Sequence, residues 1–349
     1  MVSKRYRFEG QKLTIDGRPI LIPEYRFEEE LGSGANGVVI KSTDIHLERE
    51  VAVKVWLPRN GKKLPDKERF LSEARKIAKL NHENIARIYH TNYLDTGHFY
   101  AVFEYIHGET LANWLREGRD LYERTTILDQ ICRAMKYAYS CNVLHGDLHP
   151  KNIMITKNGE VKVLDFGTSI FCKNIGQDPQ VKERKVFLET GLKLLSEEKK
   201  YTFLDYDKVK NIPIILIPDL LLATSSLLST TSMLSSIVKD YSGELYDDDT
   251  DYDIRREIMK IAYITISDVP FFDLSSIIDF FNKIGLSEYY LDVFISVATP
   301  HCHAEIADLK RYVTNPLKYD DNSMATLQID YERLQCKILG APRVNPALN

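Results

Sequence analysis

The sequence predicts an α+β protein in which a strand-rich first part with one main helix precedes a larger, mostly helical remainder. Three observations indicate this order. β-branched and alternating residues dominate to about residue 55, helical periodicity covers 66–80, and helical patterns prevail beyond Gly108. The change from strands to helices therefore falls near residues 105–108. A chain of 349 residues, 44% of them hydrophobic, can bury cores of this kind.

The first strands are predicted on either side of a tight turn. Residues 11–23 read QKLTIDGRPILIP, and the Asp16-Gly17 pair favours the left-handed backbone that a short hairpin requires. The helical segment 66–80 collects apolar side chains on one face, as a helix packed on a sheet does. Further strand candidates follow the same reasoning and occupy residues 25–55, 85–94, 98–106, 152–159 and 160–167.

Composition argues against some partners and compartments. Lys and Arg number 46 against 50 Asp and Glu, so charge gives no reason to expect a nucleic-acid partner. The five cysteines are scattered without a CxxC pair, which is typical of reduced thiols in an intracellular protein. The N-terminus lacks the apolar run of a secretion signal. We therefore expect a cytoplasmic protein.

The apolar stretch 212–238 is long enough to raise the question of a membrane helix. Pro213, Pro218 and Asp219 interrupt its beginning, and many Ser and Thr residues follow. A spanning helix needs about 20 predominantly apolar residues. We expect a buried core helix here and no membrane span.

A glycine-rich motif lies at residues 31–39, LGSGANGVV. Gly32, Gly34 and Gly37 would let backbone N–H groups approach phosphate oxygens without an intervening Cβ. A glycine-rich hairpin turn gives the same string, so the motif alone is weakly specific. β-branched residues follow it, and the loop is therefore expected to join two strands and not to open a helix.

A lysine and a glutamate downstream could act with that loop. Lys54 ends the string VAVK, and its charge would neutralise phosphate. Glu73 lies in the predicted helix and could pair with Lys54 to fix its position. Viewed singly, Lys54 could equally be an ordinary strand lysine and Glu73 a surface glutamate.

Two polar motifs in the second part carry the strongest chemical signal. Residues 144–155 read LHGDLHPKNIMI, which places Asp147 and Asn152 five positions apart. That spacing suits a carboxylate that orients an acceptor hydroxyl and an amide that holds a metal. Asp165 follows a short apolar strand in VLDFG and could bind the Mg²⁺ that bridges phosphates.

Taken together and in this order, the motifs resemble those of the eukaryotic-type protein kinase superfamily: a glycine-rich loop, V-A-x-K, H-x-D-x-x-x-x-N and D-F-G. The resemblance covers roughly residues 25–171. It implies a two-lobed protein-kinase-like fold and use of ATP with Mg²⁺. It also implies four segments, which are an N-terminal β extension (1–24), an N-lobe (25–106), a C-lobe catalytic core (107–185) and a divergent helical remainder (186–349).

The resemblance implies roles for residues at matching positions. Catalytic roles fall to Asp147, Lys54 with Glu73, and His149; metal binding falls to Asn152 and Asp165. The ATP-binding set is Gly32, Gly34, Gly37, Val39, Ala52, Lys54, Glu104, Ile106 and Met154. Within it, Val39, Ala52 and Met154 would enclose adenine, and the segment around Glu104 and Ile106 would be the hinge. Ile77, Ile88, His145 and Phe166 resemble the apolar column that links the lobes.

Three departures from the family pattern bear on function. Gly146 replaces the arginine that in many regulated kinases pairs with a phosphorylated activation segment, which argues against that switch. His149 replaces the usual lysine; it could contact the γ-phosphate or simply pack the loop. No A-P-E triplet or D-x-W-x-x-G signature follows D-F-G, so the usual peptide-docking platform is missing or rebuilt.

Three functions remain open on the sequence. The leading one is a protein kinase that phosphorylates Ser or Thr hydroxyls of a protein substrate, including its own. The HGDLHPKN string also resembles aminoglycoside and choline phosphotransferases, and the acidic run 244–253, expected as a solvated loop, could favour a cationic metabolite. The third is a nucleotide-binding pseudokinase scaffold. The HCH triplet at 301–303 is interpreted as a helix end and not as a metal site.

Overall fold

The computed structural model of the chain describes residues 6–34, 37–57, 67–166, 179–195, 203–204, 209, 211–240, 248–266, 272–286 and 288–298. The chain divides into two compact units, Met1–Gly191 and Leu192–Asn349. The first contains all the described strands longer than an isolated bridge, and the second is helical in its described part. This is the predicted α+β order of strands followed by helices.

A three-stranded antiparallel sheet opens the first unit. Its strands are β1 (Tyr6–Glu9), β2 (Lys12–Ile15) and β3 (Arg18–Ile20). Asp16 and Gly17 have φ angles of 48° and 76°, the left-handed geometry of a two-residue hairpin turn. The predicted turn is therefore confirmed.

A five-stranded antiparallel sheet follows, with strand order β4-β5-β6-β8-β7. The bounds are β4 (Tyr25–Gly34), β5 (Gly37–Asp44), β6 (Arg49–Trp56), β7 (Ile88–Tyr93) and β8 (Phe99–Glu104), with helix α1 (Lys67–Ile77) between β6 and β7. Alternation along β6 divides its side chains between two faces: Val51, Val53 and Val55 pack with the first sheet, whereas Lys54 turns to the other face. The N-terminal strands thus cover the back of the five-stranded sheet.

The rest of the first unit is mainly helical around a small sheet. Strands β9 (Gly108–Thr110), β10 (Ile153–Thr156) and β11 (Val161–Val163) pair in the order β11-β10-β9, and the helices are α2 (Leu111–Trp114), α3 (Leu121–Ser140) and α4 (Pro179–Leu195). Asp120 and Glu123 form a capping box that satisfies N–H groups at the start of α3. The buried face of α3 supports β11.

Backbone pairing joins this small sheet to the segment that leads into β7. The Val163 N–H donates to the Asn84 carbonyl at 2.8 Å, and the Ala86 N–H donates to the Val163 carbonyl at 3.0 Å. The buried Asn84 side chain also donates to the Val161 carbonyl at 3.0 Å. These bonds fix the end of β11, and with it Asp165, beneath the five-stranded sheet.

The second unit consists, where described, of helices α5 (Ile217–Asp240), α6 (Asp248–Ile266), α7 (Leu274–Lys283) and α8 (Glu288–Ala298). The expected solvated loop at 244–253 is wrong for residues 248–253, because α6 begins at Asp248, and residues 244–247 lie outside the described part of the chain. Two carboxylates of this run are paired: Asp251 lies 2.7 Å from Arg255, and Asp253 lies 2.7 Å from Arg256. One-turn spacing on a helix favours such pairs.

The apolar stretch 212–238 is helical over most of its length. The segment Ile214–Asp240 is long and apolar enough to cross a membrane, but 56% of its most apolar window is buried inside the protein. A core helix passes the same test of length and composition, so this is weak evidence for a span. Cys302, Cys336 and the HCH triplet lie outside the described residues.

Candidate active site

A cleft of about 990 Å³ lies within the first unit. The sequence-predicted site residues that line it are Gly32, Gly34, Gly37, Val39, Ala52, Lys54, Glu104, Ile106, Asp147, His149, Asn152, Met154 and Asp165. Glu73 lies in α1, but its side chain is outside the described part of the chain, and its pairing with Lys54 stays a prediction. Residues more than 130 positions apart in sequence therefore converge on one cavity.

The glycine-rich motif forms the turn between β4 and β5. Gly32 pairs with Val39 and Gly34 with Gly37; residues 35–36 between them are not described. Among the described residues, an added Cβ would meet no atom within 4 Å at Gly32 or Gly34 but would clash with the Val55 carbonyl at Gly37. Gly37 is thus needed for close strand packing, whereas the space beside the other two is open to a ligand.

Lys54 is the buried cation of the site. Its side chain points from the middle of β6 into the cleft, and the residue is only 5% exposed. The Nζ atom lies 2.7 Å from Oδ2 of Asp165. A buried ammonium is stable only when paired, so this contact holds both groups in place.

Apolar side chains line the hinge end of the cleft, and an ion pair lies beside them. Val39 and Ala52 line it from the sheet, and Met154 and Leu164 line it from below. Glu104, at the end of β8, pairs with Lys162 of β11 at 2.9 Å. The Glu104 carboxylate is thereby neutralised, and the apolar slot beside it suits a flat aromatic base.

His145 ties the loop 144–152 to the strand end that carries Asp165. Its Nε2 donates to the Leu164 carbonyl at 2.7 Å, and its Nδ1 accepts the Asp147 N–H at 3.2 Å. The Phe166 ring packs against the imidazole at a centroid distance of 4.7 Å. Burial lowers the pKa of His145 to about 4, and this keeps the ring neutral with one donor and one acceptor nitrogen.

Glu183, on α4, holds the same loop from the other side, and the sequence reasoning missed it. Its two carboxylate oxygens accept the backbone N–H groups of His145 at 2.8 Å and Gly146 at 2.7 Å. Burial raises the pKa of Glu183, while these two bonds act in the opposite direction. Because each oxygen accepts a bond from an N–H, these two contacts favour the ionised form. An acidic residue one helical turn before the apolar Phe187 was the available signal.

Gly146 has a backbone reason for being glycine. Its φ is 85°, a left-handed conformation that side chains with a Cβ rarely adopt. That conformation turns the Gly146 N–H toward Glu183. Glycine thus replaces the arginine of regulated kinases at position 146 because this loop uses a left-handed backbone that is held by Glu183.

Asp147, His149 and Asn152 form the floor of the cleft. The Asn152 Nδ2 donates to the Asp147 carbonyl at 2.8 Å, which leaves the amide oxygen available to a cation. The His149 Nδ1 accepts the Lys151 N–H at 3.2 Å and so caps the 3₁₀ turn Pro150–Asn152, while its Nε2 lies 3.7 Å from Asp147. His149 thus holds the loop while also lining the cleft, and its contact with the γ-phosphate stays a prediction.

The oxygen groups present suit Mg²⁺. Asp165 adopts φ = 60°, a strained backbone for aspartate of the kind found at functional sites. Among the described residues, no group of three or more His, Cys, Asp or Glu could hold a metal ion. A magnesium ion bound through one or two protein oxygens plus phosphates needs no such group, so Asp165 and Asn152 fit it.

The family model and the curated relatives that this chain resembles all describe protein kinases. The family described as the protein kinase domain matches residues 25–187. A probable serine/threonine-protein kinase of Streptomyces coelicolor is 38% identical over 148 residues, which are 41% of this chain and 22% of that protein. The serine/threonine-protein kinase PknB of Mycolicibacterium smegmatis is 35% identical over 152 residues, 42% of this chain and 24% of that protein. The chain thus spans about a quarter of the length of these relatives.

Solved structures give a more distant likeness. The kinase domain of Mycobacterium tuberculosis PknI covers 60% of this chain and 88% of its own length, with 18% sequence identity and a TM-score of 0.43. The family match ends at residue 187, in the middle of α4.

Proposed function

Because residues 25–187 belong to the eukaryotic-type protein kinase superfamily, we propose that this chain transfers the γ-phosphoryl group of ATP to Ser or Thr hydroxyls of protein acceptors, with Mg²⁺. One observation carries the proposal. The Lys54 ammonium and the Asp165 carboxylate meet at 2.7 Å inside a cleft that Asp147 and Asn152 also line. A phosphotransferase site needs this convergence of cation, metal ligands and a carboxylate near the acceptor.

The nucleotide is proposed to lie along the cleft with its base at the hinge. Val39, Ala52 and Met154 would enclose adenine, and the backbone near Ile106 would meet its polar edge. The open space beside Gly32 and Gly34 would receive the phosphates, whose charge Lys54 offsets. Bound Mg²⁺ would supply further charge neutralisation between the phosphates. Asp165 and the free Asn152 amide oxygen are the groups that would hold it.

Asp147 is proposed to act on the acceptor. Its carboxylate is partly exposed, lines the cleft and would accept a hydrogen bond from the acceptor hydroxyl. His145 and Glu183 fix the backbone on either side of it through hydrogen bonds of 2.7 to 3.2 Å. Such prior positioning lowers the cost of orienting the reactants, which is the main contribution of a protein to phosphoryl transfer. Location in the cytoplasm and labelling of its own chain belong to the same proposal.

The proposal is tested with purified wild-type chain, radiolabelled ATP, Mg²⁺ and generic protein acceptors. Asp147→Asn should lower labelling by about 10²–10⁴-fold, because it removes the carboxylate that orients the hydroxyl. Asp129→Asn is the matched control: Asp129 lies on the outer face of α3 and pairs with Arg133. The control should keep wild-type labelling.

Equal labelling by wild-type and Asp147→Asn would contradict the proposal. ATP consumption that depends on an added metabolite extract, without protein labelling, would instead assign a small-molecule acceptor. The acidic run 244–253 gives that alternative little support, because Asp251 and Asp253 already pair with arginines.

A further inference from the structure

Two exposed cations line the cleft and take no part in the chemistry described above. Arg116 lies in the 3₁₀ turn Leu115–Glu117 that follows α2, and Lys151 lies in the turn Pro150–Asn152 beside Asp147. Helix α2 contacts the latter turn, so the two cations lie on neighbouring elements. Within the part of the chain that the structure describes, neither side chain has a hydrogen-bond or ion-pair partner.

The depth of these cations separates them from the phosphate site. Lys54 is buried and already paired with Asp165, where the phosphates are proposed to lie. Arg116 and Lys151 are exposed to solvent where they line the cleft, and Lys151 lies in the same loop as Asp147. An exposed cation that lines the cleft can contact an acceptor segment that enters it.

Among the described residues, no acidic group forms an ion pair with either cation. Glu117 and Glu123 both pair with Arg119, a different arginine. Of the four carboxylates that line the cleft, Glu104 pairs with Lys162 and Asp165 with Lys54. Asp147 faces His149 and the acceptor hydroxyl, and Glu109 lies partly buried on β9 immediately after the hinge. An anionic group in the acceptor would supply the missing counter-charge.

We propose that Arg116 and Lys151 select acceptor segments in which the Ser or Thr is flanked by Asp or Glu. This inference rests on the proposed protein kinase function and specifies its substrate class. Each cation contributes a solvent-screened attraction to a flanking carboxylate. Two such contacts favour an acidic over a basic acceptor by about tenfold or more in kcat/KM.

The experiment uses the full-length chain and three synthetic peptides that each contain one Ser and one Thr, flanked by Glu, Ala or Lys. The measured quantity is the ratio of kcat/KM for the Glu peptide to that for the Lys peptide. This ratio cancels any loss of folded or active protein. Wild type should give a ratio of about 10 or more, with the Ala peptide between the other two.

Charge-reversed variants identify the residues responsible. Lys151→Glu and Arg116→Glu should each lower the ratio by about fivefold or more, since each turns an attraction into a repulsion. Lys157→Glu is the matched control, because Lys157 is exposed in the turn between β10 and β11 and does not line the cleft. It should retain the wild-type ratio. If a reversal prevents folding, Lys151→Gln and Arg116→Gln still remove the charge.

The outcomes separate the two proposals. A wild-type ratio of one or less, or equal ratios in the cleft variants and Lys157→Glu, would overturn the acidic preference while phosphoryl transfer stands. Labelling of the chain itself or of cell proteins, with the Glu peptide left unlabelled, would overturn it as well. Absence of transfer to every acceptor, the chain included, would defeat the protein kinase function.

Discussion

The two walls of the cleft differ in how many protein contacts hold them: few hold the glycine-rich hairpin of the sheet, and many hold the loop 145–152 opposite it. The sheet wall ends in a glycine-rich hairpin whose last β4 residues are exposed and where two glycines have empty space beside them. The lower wall, residues 145–152, is held by several hydrogen bonds: backbone or side-chain partners fix His145, Gly146, Asp147 and Asn152.

This difference matches the separate tasks proposed for the two walls: the hairpin binds the nucleotide phosphates, and the loop 145–152 positions the Asp147 carboxylate. A loop that covers phosphates must admit and release a ligand, so few protein contacts restrain it. A carboxylate that orients a hydroxyl must be held in place before the acceptor arrives. Substitutions in the lower wall should therefore affect stability and activity together, whereas those at Gly32 and Gly34 in the hairpin should mainly affect nucleotide binding.

The largest effect is expected at Glu183. Glu183→Gln leaves one of two backbone N–H groups facing an amide NH₂ instead of an oxygen, and it removes a charged acceptor from a buried site. We expect a loss of about 3 kcal/mol in the free energy of unfolding and at least a tenfold fall in kcat. Denaturant unfolding and peptide kinetics measure both.

Glu189→Gln is the control for this prediction. Glu189 lies on the same helix but is exposed, and its ion-pair partner among the described residues is Lys185, at 3.9 Å. Its substitution should change stability by less than about 0.5 kcal/mol. If both variants behaved alike, the lower wall would not depend on its hydrogen bonds to α4.

The second effect is a pH dependence that comes from His145. The unfolded chain binds a proton at this histidine below about pH 6.5, whereas the folded pKa is about 4. Protons therefore favour unfolding, and stability falls as the pH decreases toward 4. Between pH 7 and pH 5 this group should remove about 2 kcal/mol from the free energy of unfolding.

Comparison with His145→Gln isolates this term, because glutamine does not titrate. The raised pKa of Glu183 acts in the opposite sense and is present in both proteins, so it largely cancels in the difference. The stability difference between wild type and variant should shrink as the pH falls from 7 to 5. A difference that is constant with pH would show that His145 is not held neutral.

The smallest effect on stability is expected in the hairpin. Gly34→Ala should change the free energy of unfolding by less than about 0.5 kcal/mol, because its Cβ would meet nothing within 4 Å. The same Cβ would occupy space proposed for the phosphates, so the KM for ATP should rise by about fivefold or more. Calorimetry measures the change in stability, and kinetics at varied ATP concentration measure the change in KM.

Gly37→Ala, in the same hairpin, should lower stability where Gly34→Ala does not. Its Cβ would clash with the Val55 carbonyl, so stability should fall by about 1–3 kcal/mol. If Gly34→Ala instead lost stability and kept its ATP affinity, the two walls would not differ in the way the contacts indicate.

Much of the fold and the site could be predicted because the signals are local. The Asp16-Gly17 turn follows from backbone preferences of two residues, and the β6 strand follows from alternation in EREVAVKVW. Asp147 and Asn152 could be assigned together because five residues of one loop separate them. The second part of the acidic run, from Asp248 onward, was wrongly assigned as a loop, since charge pairs one helical turn apart are compatible with a helix.

The sequence by itself determined which residue types are available to the site and which strands and helices carry them, because these depend on neighbours along the chain. Only the tertiary structure decided their partners. Lys54 meets Asp165, Glu183 holds the His145–Gly146 backbone, and His149 caps the turn before Asn152. The first two contacts join segments 37 or more positions apart, and such contacts arise from packing, which no short-range pattern encodes. For the same reason, only the structure could show that Arg116 and Lys151 have no ion-pair partner among the described residues.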